Sequence, residues 1–287
     1  MTQGRDGVRA AEVLVRRLRA AGCVFAEEEA ALILEQAAAD EDPGATADRL
    51  AAARESGLPL EQVLGWAGLA GVRVAVAPGV FVPRRRTELM VAQAVALGLG
   101  TVREGGRDGQ ARVVLLDLCC GSGAVAAAVG HGLRTAGVDV EVTAADLDPV
   151  AVDLARRNLP TARVLRSDLF AALPADLRGR VDVLTANVPY VPSAAVALLP
   201  REAREHEPTL ALDGGPDGLA VLRQVALAAP GWLAPGGTLL VETSERQRPA
   251  ALAAFEDAGL AGEAHVDEDL GAVVVQGRRG SGARGRR

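Results

Sequence analysis

Two glycines and an acidic residue have the types and spacing of a nucleotide-binding loop. Gly121 and Gly123 stand in the pattern Gly-x-Gly-x-x-Ala, between an apolar run that predicts a strand and residues that predict a helix. Glycine lets a ligand approach the backbone, and the helix that follows presents free N–H groups. Asp146, at the end of the next predicted strand, can accept hydrogen bonds from ribose hydroxyls. The pattern predicts an adenosine-type cofactor and leaves a dinucleotide and a methyl donor both open.

Features outside this loop favour a methyl donor over a nicotinamide dinucleotide. Asp168 follows the third predicted strand, where its carboxylate can accept from an adenine amino group. A hydride-transfer site usually needs a proton donor such as histidine or lysine. The 31 cationic side chains are all arginine, however, and the histidines at 131, 206 and 265 lie outside these loops. The sequence also ends after the last predicted strands, which leaves no room for the second domain of a dehydrogenase. A sulfonium donor carries its own leaving group, so the protein mainly has to orient donor and acceptor.

The segment Asn187-Val188-Pro189-Tyr190 directly follows the fourth predicted strand. Taken alone, it is also typical of a proline-containing turn after a strand. It resembles the Asn-Pro-Pro-Tyr signature of methyltransferases that act on planar amide or amino nitrogens. That resemblance implies that the Asn187 side-chain oxygen and the Val188 carbonyl each accept one N–H of the target, and that Tyr190 packs against its plane. Val188 replaces the first proline, but the contact implied at this position comes from the main chain.

Two further segments narrow the resemblance. Residues 80–89, Val-Phe-Val-Pro-Arg-Arg-Arg-Thr-Glu-Leu, are similar to the Ile-Pro-Arg-Pro-Glu-Thr-Glu segment of the protein glutamine N5-methyltransferases, which modify the Gly-Gly-Gln loop of peptide-chain release factors. Residues 206–219 resemble the same family's Glu-Pro-x-x-Ala-Leu-x-Gly-Gly-x-Asp-Gly-Leu block. The resemblance implies S-adenosylmethionine as the cofactor and a release factor as the protein partner.

The same resemblance implies roles for individual residues. Asp146 is expected to bind the ribose, Asp168 the adenine and residues 121–123 the methionine part of the donor, with Glu88 near the amide or the donor. No metal ion is predicted. The predicted catalytic residues are Asn187, Val188, Pro189 and Tyr190. The predicted cofactor-binding residues are Asp117, Cys119, Gly121, Gly123, Asp146, Leu147, Ser167, Asp168, Leu169 and Asn187. The predicted substrate-binding residues are Pro83, Arg84, Thr87, Glu88, Asn187 and Tyr190.

Two segments depart from the family pattern. Arg85 and Arg86 replace a proline and a glutamate, so three consecutive arginines stand beside the expected cleft. A solvated loop is the simpler interpretation, and a contact to an acidic protein substrate or to RNA is the alternative. Cys119 replaces the first glycine of the family's cofactor loop. We predict that it packs against the cofactor and is not a nucleophile, because no neighbouring residue would activate its thiol.

Hydrophobic periodicity predicts an α/β fold with a small second unit. Residues 1–62 have helical spacing and predict an N-terminal bundle for substrate recognition, and alternation over 63–83 predicts a β-hairpin linker. Residues 84–276 are predicted to form a Rossmann-like and mostly parallel sheet with an antiparallel last strand, which the resemblance implies is a class I methyltransferase domain. Residues 277–287 hold five arginines and predict a disordered tail. The predicted strands span 112–117, 140–146, 162–166, 181–186, 237–243, 263–268 and 271–276.

Composition and charge limit the partners and the compartment. A net charge of −6 argues against duplex DNA, and the absence of lysine excludes Schiff-base chemistry. The cysteines at 23, 119 and 120 form neither a disulfide framework nor a metal-ligand spacing. With no signal peptide and no membrane-spanning run, the sequence predicts a cytoplasmic monomer that contacts no membrane. The arginine-rich tail is predicted to be solvated, with RNA or ribosome contact as the alternative.

The leading hypothesis is S-adenosylmethionine-dependent N5-methylation of a glutamine side chain in a release factor. The first alternative keeps the fold and cofactor but changes the acceptor to a small-molecule or peptide amide or amine. An adenine-specific DNA methyltransferase shares the Asn-x-Pro-Tyr logic but would need a target-recognition domain. A non-catalytic adapter would need no intact cofactor loop, so donor binding separates it from the enzymes.

Overall fold

The computed structural model describes residues 2–103 and 112–281, with side chains from residue 8 onward. Helical spacing near the N-terminus produces a bundle whose own small core includes Leu18, Ile33 and Ala51, all fully buried. The third helix starts with Pro43 in its first turn, and the Asp42 carboxylate caps it by accepting from the Ala45 N–H at 3.0 Å. The helices of the bundle are α1 (Thr2–Ala20), α2 (Ala26–Ala37), α3 (Pro43–Glu55) and α4 (Leu60–Leu64).

A β-hairpin connects the bundle to the rest of the chain. Strands β1 (Trp66–Leu69) and β2 (Val72–Ala75) pair antiparallel around Ala70 and Gly71, which both have positive φ, as a two-residue hairpin turn requires. Asn158 ties the hairpin to the following domain. Its amide oxygen accepts from the Ala75 N–H at 2.9 Å, and its amide nitrogen donates to the carbonyls of Ala75 at 2.9 Å and Ser122 at 2.8 Å. The hairpin is therefore held against the glycine loop.

Seven strands of the described residues form one sheet in the order β5-β4-β3-β6-β7-β9-β8. The first five strands are parallel neighbours, whereas β9 runs antiparallel to both β7 and β8. The chain moves outward from β3 to β5 and then returns to place β6 on the other side of β3. This reversal opens a crevice at the carboxyl ends of β3 and β6, where ligands bind in open α/β sheets. The strands are β3 (Arg112–Leu118), β4 (Asp139–Asp146), β5 (Arg163–Arg166), β6 (Val181–Ala186), β7 (Leu233–Thr243), β8 (Leu260–Asp267) and β9 (Ala272–Arg279).

Helices cover both faces of the sheet. Met90 and Val129 belong to the core on one face, and Leu222 and Phe255 belong to the core on the other. Helices α5 (Glu88–Arg103), α6 (Ala124–Thr135) and α7 (Pro149–Asn158) contribute to the first core. Helices α10 (Ala220–Ala228) and α11 (Arg248–Asp257) contribute to the second. The short helices α8 (Ser193–Val196) and α9 (Arg201–His206) lie in the long connection after β6. This arrangement confirms the predicted fold class, with a mostly parallel sheet and an antiparallel end.

The predicted start of the tail at residue 277 is wrong. Strand β9 continues to Arg279, because Gly277 and Arg278 pair with residues of both β7 and β8. The Arg279 guanidinium also donates to the Leu233 carbonyl. Pairing on both sides therefore orders residues whose composition alone indicated a tail, and residues 282–287 lie outside the described part of the chain.

One further observation concerns membranes. No helix among the described residues is both long enough and apolar enough to span a bilayer.

Candidate active site

A cavity of about 380 Å³ opens at the carboxyl ends of the parallel strands. Most of the residues that the sequence predicted for the site line this cavity. Arg84, Glu88 and Gly123 do not. The predicted residues that line it are Pro83, Thr87, Asp117, Cys119, Gly121, Asp146, Leu147, Ser167, Asp168, Leu169, Asn187, Val188, Pro189 and Tyr190.

The loop after β3 contains three left-handed residues, of which Gly121 and Cys119 line the cavity. Gly121 has φ of +53°, and a Cβ built on it would meet no atom within 4 Å, so its face toward the cavity is open. Cys119 has φ of +52°, a conformation that costs a non-glycine residue about 1–2 kcal/mol. The backbone at this position explains why glycine suits it. Burial, and then the nearby carboxylates of Asp146 and Asp117, raise the pKa of the Cys119 thiol, which disfavours the thiolate that a nucleophile needs.

The Asp146 carboxylate links the ends of two strands. One oxygen accepts from the Gly121 N–H at 2.8 Å, and the other accepts from the Asp148 N–H at 2.9 Å. Burial raises the pKa of Asp146, and these N–H groups oppose the shift. Because each carboxylate oxygen has a second lone pair, Asp146 can still accept from a ligand hydroxyl.

Asp117 lies at the floor of the cavity and is buried. Its carboxylate accepts from the Thr185 hydroxyl at 2.8 Å and from the Ala126 N–H, in the first turn of α6, at 3.2 Å. Burial raises the pKa of Asp117 to about 7, against the opposite effect of these two donors. Asp117 therefore joins β3, β6 and α6 through hydrogen bonds next to the cavity that it lines.

Gly123 has a packing role that the loop pattern did not reveal. It caps α6 with φ of +77°, and a Cβ there would lie 2.8 Å from the Leu159 Cδ1 atom. The missing side chain lets α6 approach the end of α7. Helix packing therefore explains the glycine at position 123, which does not line the cavity.

The turn after β5 presents Asp168 at the cavity rim. The Ser167 hydroxyl donates to the Leu169 carbonyl at 2.8 Å and accepts from the Ala172 N–H at 2.9 Å, so it closes the turn. Leu169 takes a positive φ of 46° within it. Asp168 is exposed and lines the cavity together with Leu147.

The segment from Asn187 to Tyr190, which follows β6, forms another wall of the cavity. The Asn187 amide nitrogen donates to the Thr87 hydroxyl at 3.5 Å. The Tyr190 hydroxyl donates to the Glu242 carboxylate at 2.9 Å, and the Arg86 guanidinium lies over the Tyr190 ring, 5.5 Å from its centre. Sequence reasoning missed Glu242. An acidic residue between the apolar Leu239–Val241 run and Thr243 of a central strand is the signal that would have indicated it.

The block at residues 206–219, predicted from resemblance alone, supports this wall from behind. Val191 donates its N–H to the Leu212 carbonyl at 3.0 Å, and its own carbonyl accepts from the Gly214 N–H at 2.8 Å. A Cβ on Gly214 would lie 2.6 Å from the Pro189 carbonyl oxygen. The glycines of the block therefore permit close backbone packing against the Asn187 segment.

Two predicted substrate residues bind the protein itself. The Arg84 guanidinium pairs with Glu207 at 2.5 Å and lies over the Phe81 ring. Glu88 is the first residue of α5. Its carboxylate accepts from the Ala70 N–H, in the hairpin turn, at 3.3 Å. Of the three arginines only Arg85 is exposed, since Arg86 pairs with Glu242.

Proteins of known name align with most of the chain. A release factor glutamine methyltransferase from Mycolicibacterium smegmatis is 36% identical over 236 residues, which cover 80% of this chain and 78% of the relative. Another from Mycobacterium tuberculosis is 38% identical over 193 residues, 66% of this chain but only 60% of the relative's length. The chain belongs to the release factor glutamine methyltransferase family.

Membership of this family confirms the predicted enzyme class, an N-methyltransferase, and the predicted cofactor, S-adenosylmethionine. A 4-amino-L-phenylalanine/4-methylamino-L-phenylalanine methyltransferase from Streptomyces pristinaespiralis is also 36% identical over 203 residues, 70% of this chain and 66% of that protein. A methyltransferase structure from Pyrococcus furiosus has a TM-score of 0.47 at 14% identity, covering 72% of this chain and 88% of that one. No protein-family model matches the chain.

The cavity fits the chemistry of this cofactor. Asp146 offers carboxylate oxygens suited to a ribose diol, and Asp168 offers one suited to an adenine amino group. The open face of Gly121 leaves room for a ligand beside the backbone. No group of three or more histidine, cysteine or acidic side chains in residues 8–103 and 112–281 is arranged to hold a metal ion.

Replacing Asp146 with asparagine is expected to weaken S-adenosylmethionine binding about 10- to 100-fold, since a hydrogen bond to a charged group contributes about 1.5–3 kcal/mol. In the wild-type protein the Gly121 and Asp148 N–H groups donate to the two carboxylate oxygens of Asp146. In the asparagine variant the side-chain NH₂ group faces one of these two N–H donors. Isothermal titration calorimetry measures the effect. Asp153→Asn is the control, because Asp153 lies on the exposed surface of α7, where it pairs with Arg156 and does not line the cavity. Equal donor affinity for the two variants would exclude a role for Asp146 in the cofactor site.

Proposed function

We propose that the protein transfers a methyl group from S-adenosylmethionine to the side-chain amide nitrogen of a glutamine in a peptide-chain release factor, within its Gly-Gly-Gln loop. The relatives from two mycobacterial species are named release factor glutamine methyltransferases. The observation that carries the proposal to the site is the Asn187 side chain. Its nitrogen is engaged by Thr87, so its oxygen is available to accept from a target amide.

An amide nitrogen is a poor nucleophile, because its lone pair is delocalised into the carbonyl. In the proposed mechanism the Asn187 oxygen and the Val188 carbonyl each accept one N–H of the target, and Tyr190 supports its plane. These contacts hold the nitrogen in one orientation in the cavity, which lowers the entropy cost of reaction. S-adenosylmethionine, when bound, supplies the methyl group, and its C–S bond breaks as the N–C bond forms. The nitrogen then loses one proton, which passes to water.

We assign the donor to the loop side of the cavity. Asp146 would bind the ribose, Asp168 the adenine and the Gly121 loop the methionine part of the donor. Asp117 would lie below the donor. The residues around the adenine ring would be Leu147, Ser167 and Leu169. Asp146, Asp168 and the Gly121 loop lie at the carboxyl ends of β4, β5 and β3, which lie on one side of β6 in the sheet. Asn187 and Tyr190 follow β6 itself, and this separation supports the assignment. Donor and acceptor would then meet across the cavity.

The N-terminal bundle is proposed to help recognise the protein substrate. Arg54, which is 9% exposed, pairs with Glu29 at 2.6 Å inside the bundle and with Glu202 of α9 at 2.5 Å. Gln62 also donates to the His206 carbonyl at 3.4 Å. These contacts hold the bundle beside the 206–219 block, of which Pro208 and residues 210–212 line the cavity. We further propose a monomer in a reducing cytoplasm, where Cys23, Cys119 and Cys120 would remain free thiols.

A labelled-donor assay tests the proposal. Purified protein, methyl-tritiated S-adenosylmethionine and a release factor are expected to give incorporation of one methyl group per release factor. A release factor whose Gly-Gly-Gln glutamine is replaced by alanine is expected to give none. Equal labelling of the two release factors, or no labelling of either, would contradict the proposed substrate.

A small aromatic amine is the second candidate acceptor. The relative from Streptomyces pristinaespiralis is named for such a substrate, and Val188 departs from the Asn-Pro-Pro-Tyr signature in this chain. Adding 4-amino-L-phenylalanine to the same assay in place of the release factor separates the candidates. Labelling of the amine without labelling of the release factor would favour this second function.

A further inference from the structure

One buried carboxylate receives three hydrogen bonds beside the proposed target site. Glu242 lies near the carboxyl end of β7, and its side chain is 1% exposed. One of its oxygens accepts from the Tyr190 hydroxyl and from the Arg86 Nε–H, both at 2.9 Å. The other accepts from the Thr87 hydroxyl at 2.7 Å. A buried charge is costly unless it is paired and hydrogen-bonded, and these donors come from two separate segments of the cavity wall.

The bond to Thr87 determines how Asn187 can be oriented. A threonine hydroxyl has a single proton, and here that proton is donated to Glu242. Toward Asn187 the hydroxyl can therefore only accept, so the NH₂ of the Asn187 amide faces Thr87. The Asn187 oxygen, on the other arm of the planar amide, is left to accept from a ligand. The carboxylate thus sets the polarity of a chain from Glu242 through Thr87 to Asn187.

The bonds to Tyr190 and Arg86 determine the position of the aromatic ring. The phenol oxygen is held by Glu242 at the far end of the ring, and the Tyr190 carbonyl accepts from the Gln247 amide at 2.8 Å. Arg86, paired with the same carboxylate, covers one face of the ring. The ring is therefore fixed at both ends and along one face.

We propose that Glu242 is a positioning residue for the target amide, which orients the acceptor oxygen of Asn187 through Thr87 and fixes the plane of Tyr190. This inference rests on the proposed function, because it takes the acceptor to be a planar amide. Glu242 does not line the cavity, so it acts through the residues that it binds.

Tyr190 is the only tyrosine of the chain, so it provides a direct spectroscopic readout. Protein labelled with [¹³Cζ]tyrosine gives one resonance, which moves when the phenol ionises. Burial and then the Glu242 charge raise the pKa of Tyr190, whereas Arg86 and Arg84 lower it. In Glu242→Gln the Tyr190 resonance is expected to move at neutral pH and the Tyr190 midpoint is expected to fall, because the neighbouring negative charge is lost. Identical titrations in the two folded proteins would overturn the proposal.

Kinetics then separate positioning from a general structural effect. Glu242→Gln and Thr87→Val are each expected to lower kcat about 10- to 100-fold with S-adenosylmethionine affinity within about twofold of wild type. Thr87→Ser keeps the hydroxyl and is expected to retain kcat within about threefold. Equal activity of Thr87→Val and Thr87→Ser would overturn the relay, and this pair decides the matter even if Glu242→Gln does not fold. If wild-type protein methylates no release factor, the proposed function fails, whereas the tyrosine titration still decides whether Glu242 controls Tyr190.

Discussion

Replacing Asn187 with alanine is expected to lower kcat for release factor methylation about 100- to 1000-fold, the usual cost of removing one preorganised polar group from a reacting centre. The side-chain oxygen is one of the two acceptors proposed to hold the target nitrogen. Its loss leaves the amide free to rotate away from the donor. S-adenosylmethionine affinity is expected to stay within about threefold, because the residues proposed to bind the donor, Asp146 and the Gly121 loop, lie at the carboxyl ends of β4 and β3, whereas Asn187 follows β6.

Single-turnover assays with labelled donor measure this effect, and calorimetry measures donor binding. Ser193→Ala is a matched control in the same connection, since Ser193 is exposed and its hydroxyl bonds only Asp213, at 2.6 Å. The control is expected to keep full activity. An Asn187→Ala enzyme that retains more than about a tenth of wild-type kcat would rule out the proposed target site.

Replacing Gly218 with alanine is expected to destabilise the protein by about 2–5 kcal/mol, as the sum of left-handed strain and overpacking. Gly218 has φ of +77°, and a Cβ there would overlap the Tyr190 carbonyl oxygen and the Gln247 amide. The backbone of the segment from Asn187 to Tyr190 would have to move. We therefore expect kcat to fall at least about tenfold in the protein that remains folded.

Gly137→Ala is the matched control for this prediction. Gly137 has φ of +79°, but a Cβ there would meet nothing within 4 Å, so only the strain remains. Thermal denaturation is expected to show a midpoint lowered by about 2–4 °C for Gly137→Ala and about two to three times as much for Gly218→Ala. Equal shifts of the midpoint for the two variants would show that Gly218 does not support the segment from Asn187 to Tyr190.

The sequence identified most of the residues that line the cavity because they follow a local rule. In a parallel sheet each strand ends at the same edge, so polar residues after successive apolar runs converge there. Asp117, Asp146, Asp168 and Asn187 each come at the end of such a run, and all four line the cavity. Short range information was sufficient for this part.

The two glycines of the predicted cofactor loop could not be told apart from the sequence pattern alone. Gly121 and Gly123 belong to one motif, yet the first faces the cavity and the second lies against Leu159. The motif records that both positions lack a side chain, but not whether a ligand or a helix needs the space. The placement of α7 decided between them.

By itself, then, the sequence determined the fold class, the order of its elements and the edge of the sheet where the site lies, since periodicity and strand ends are local properties. The tertiary structure decided which polar atoms meet. Glu242 is far along the chain from Thr87 and Tyr190, and its bonds to both depend on β7 lying next to β6 and on α5 beginning beside it. The extension of β9 to Arg279 likewise depended on partners in β7 and β8. Such contacts join residues distant in sequence, and only the packed sheet brings them within hydrogen-bond distance.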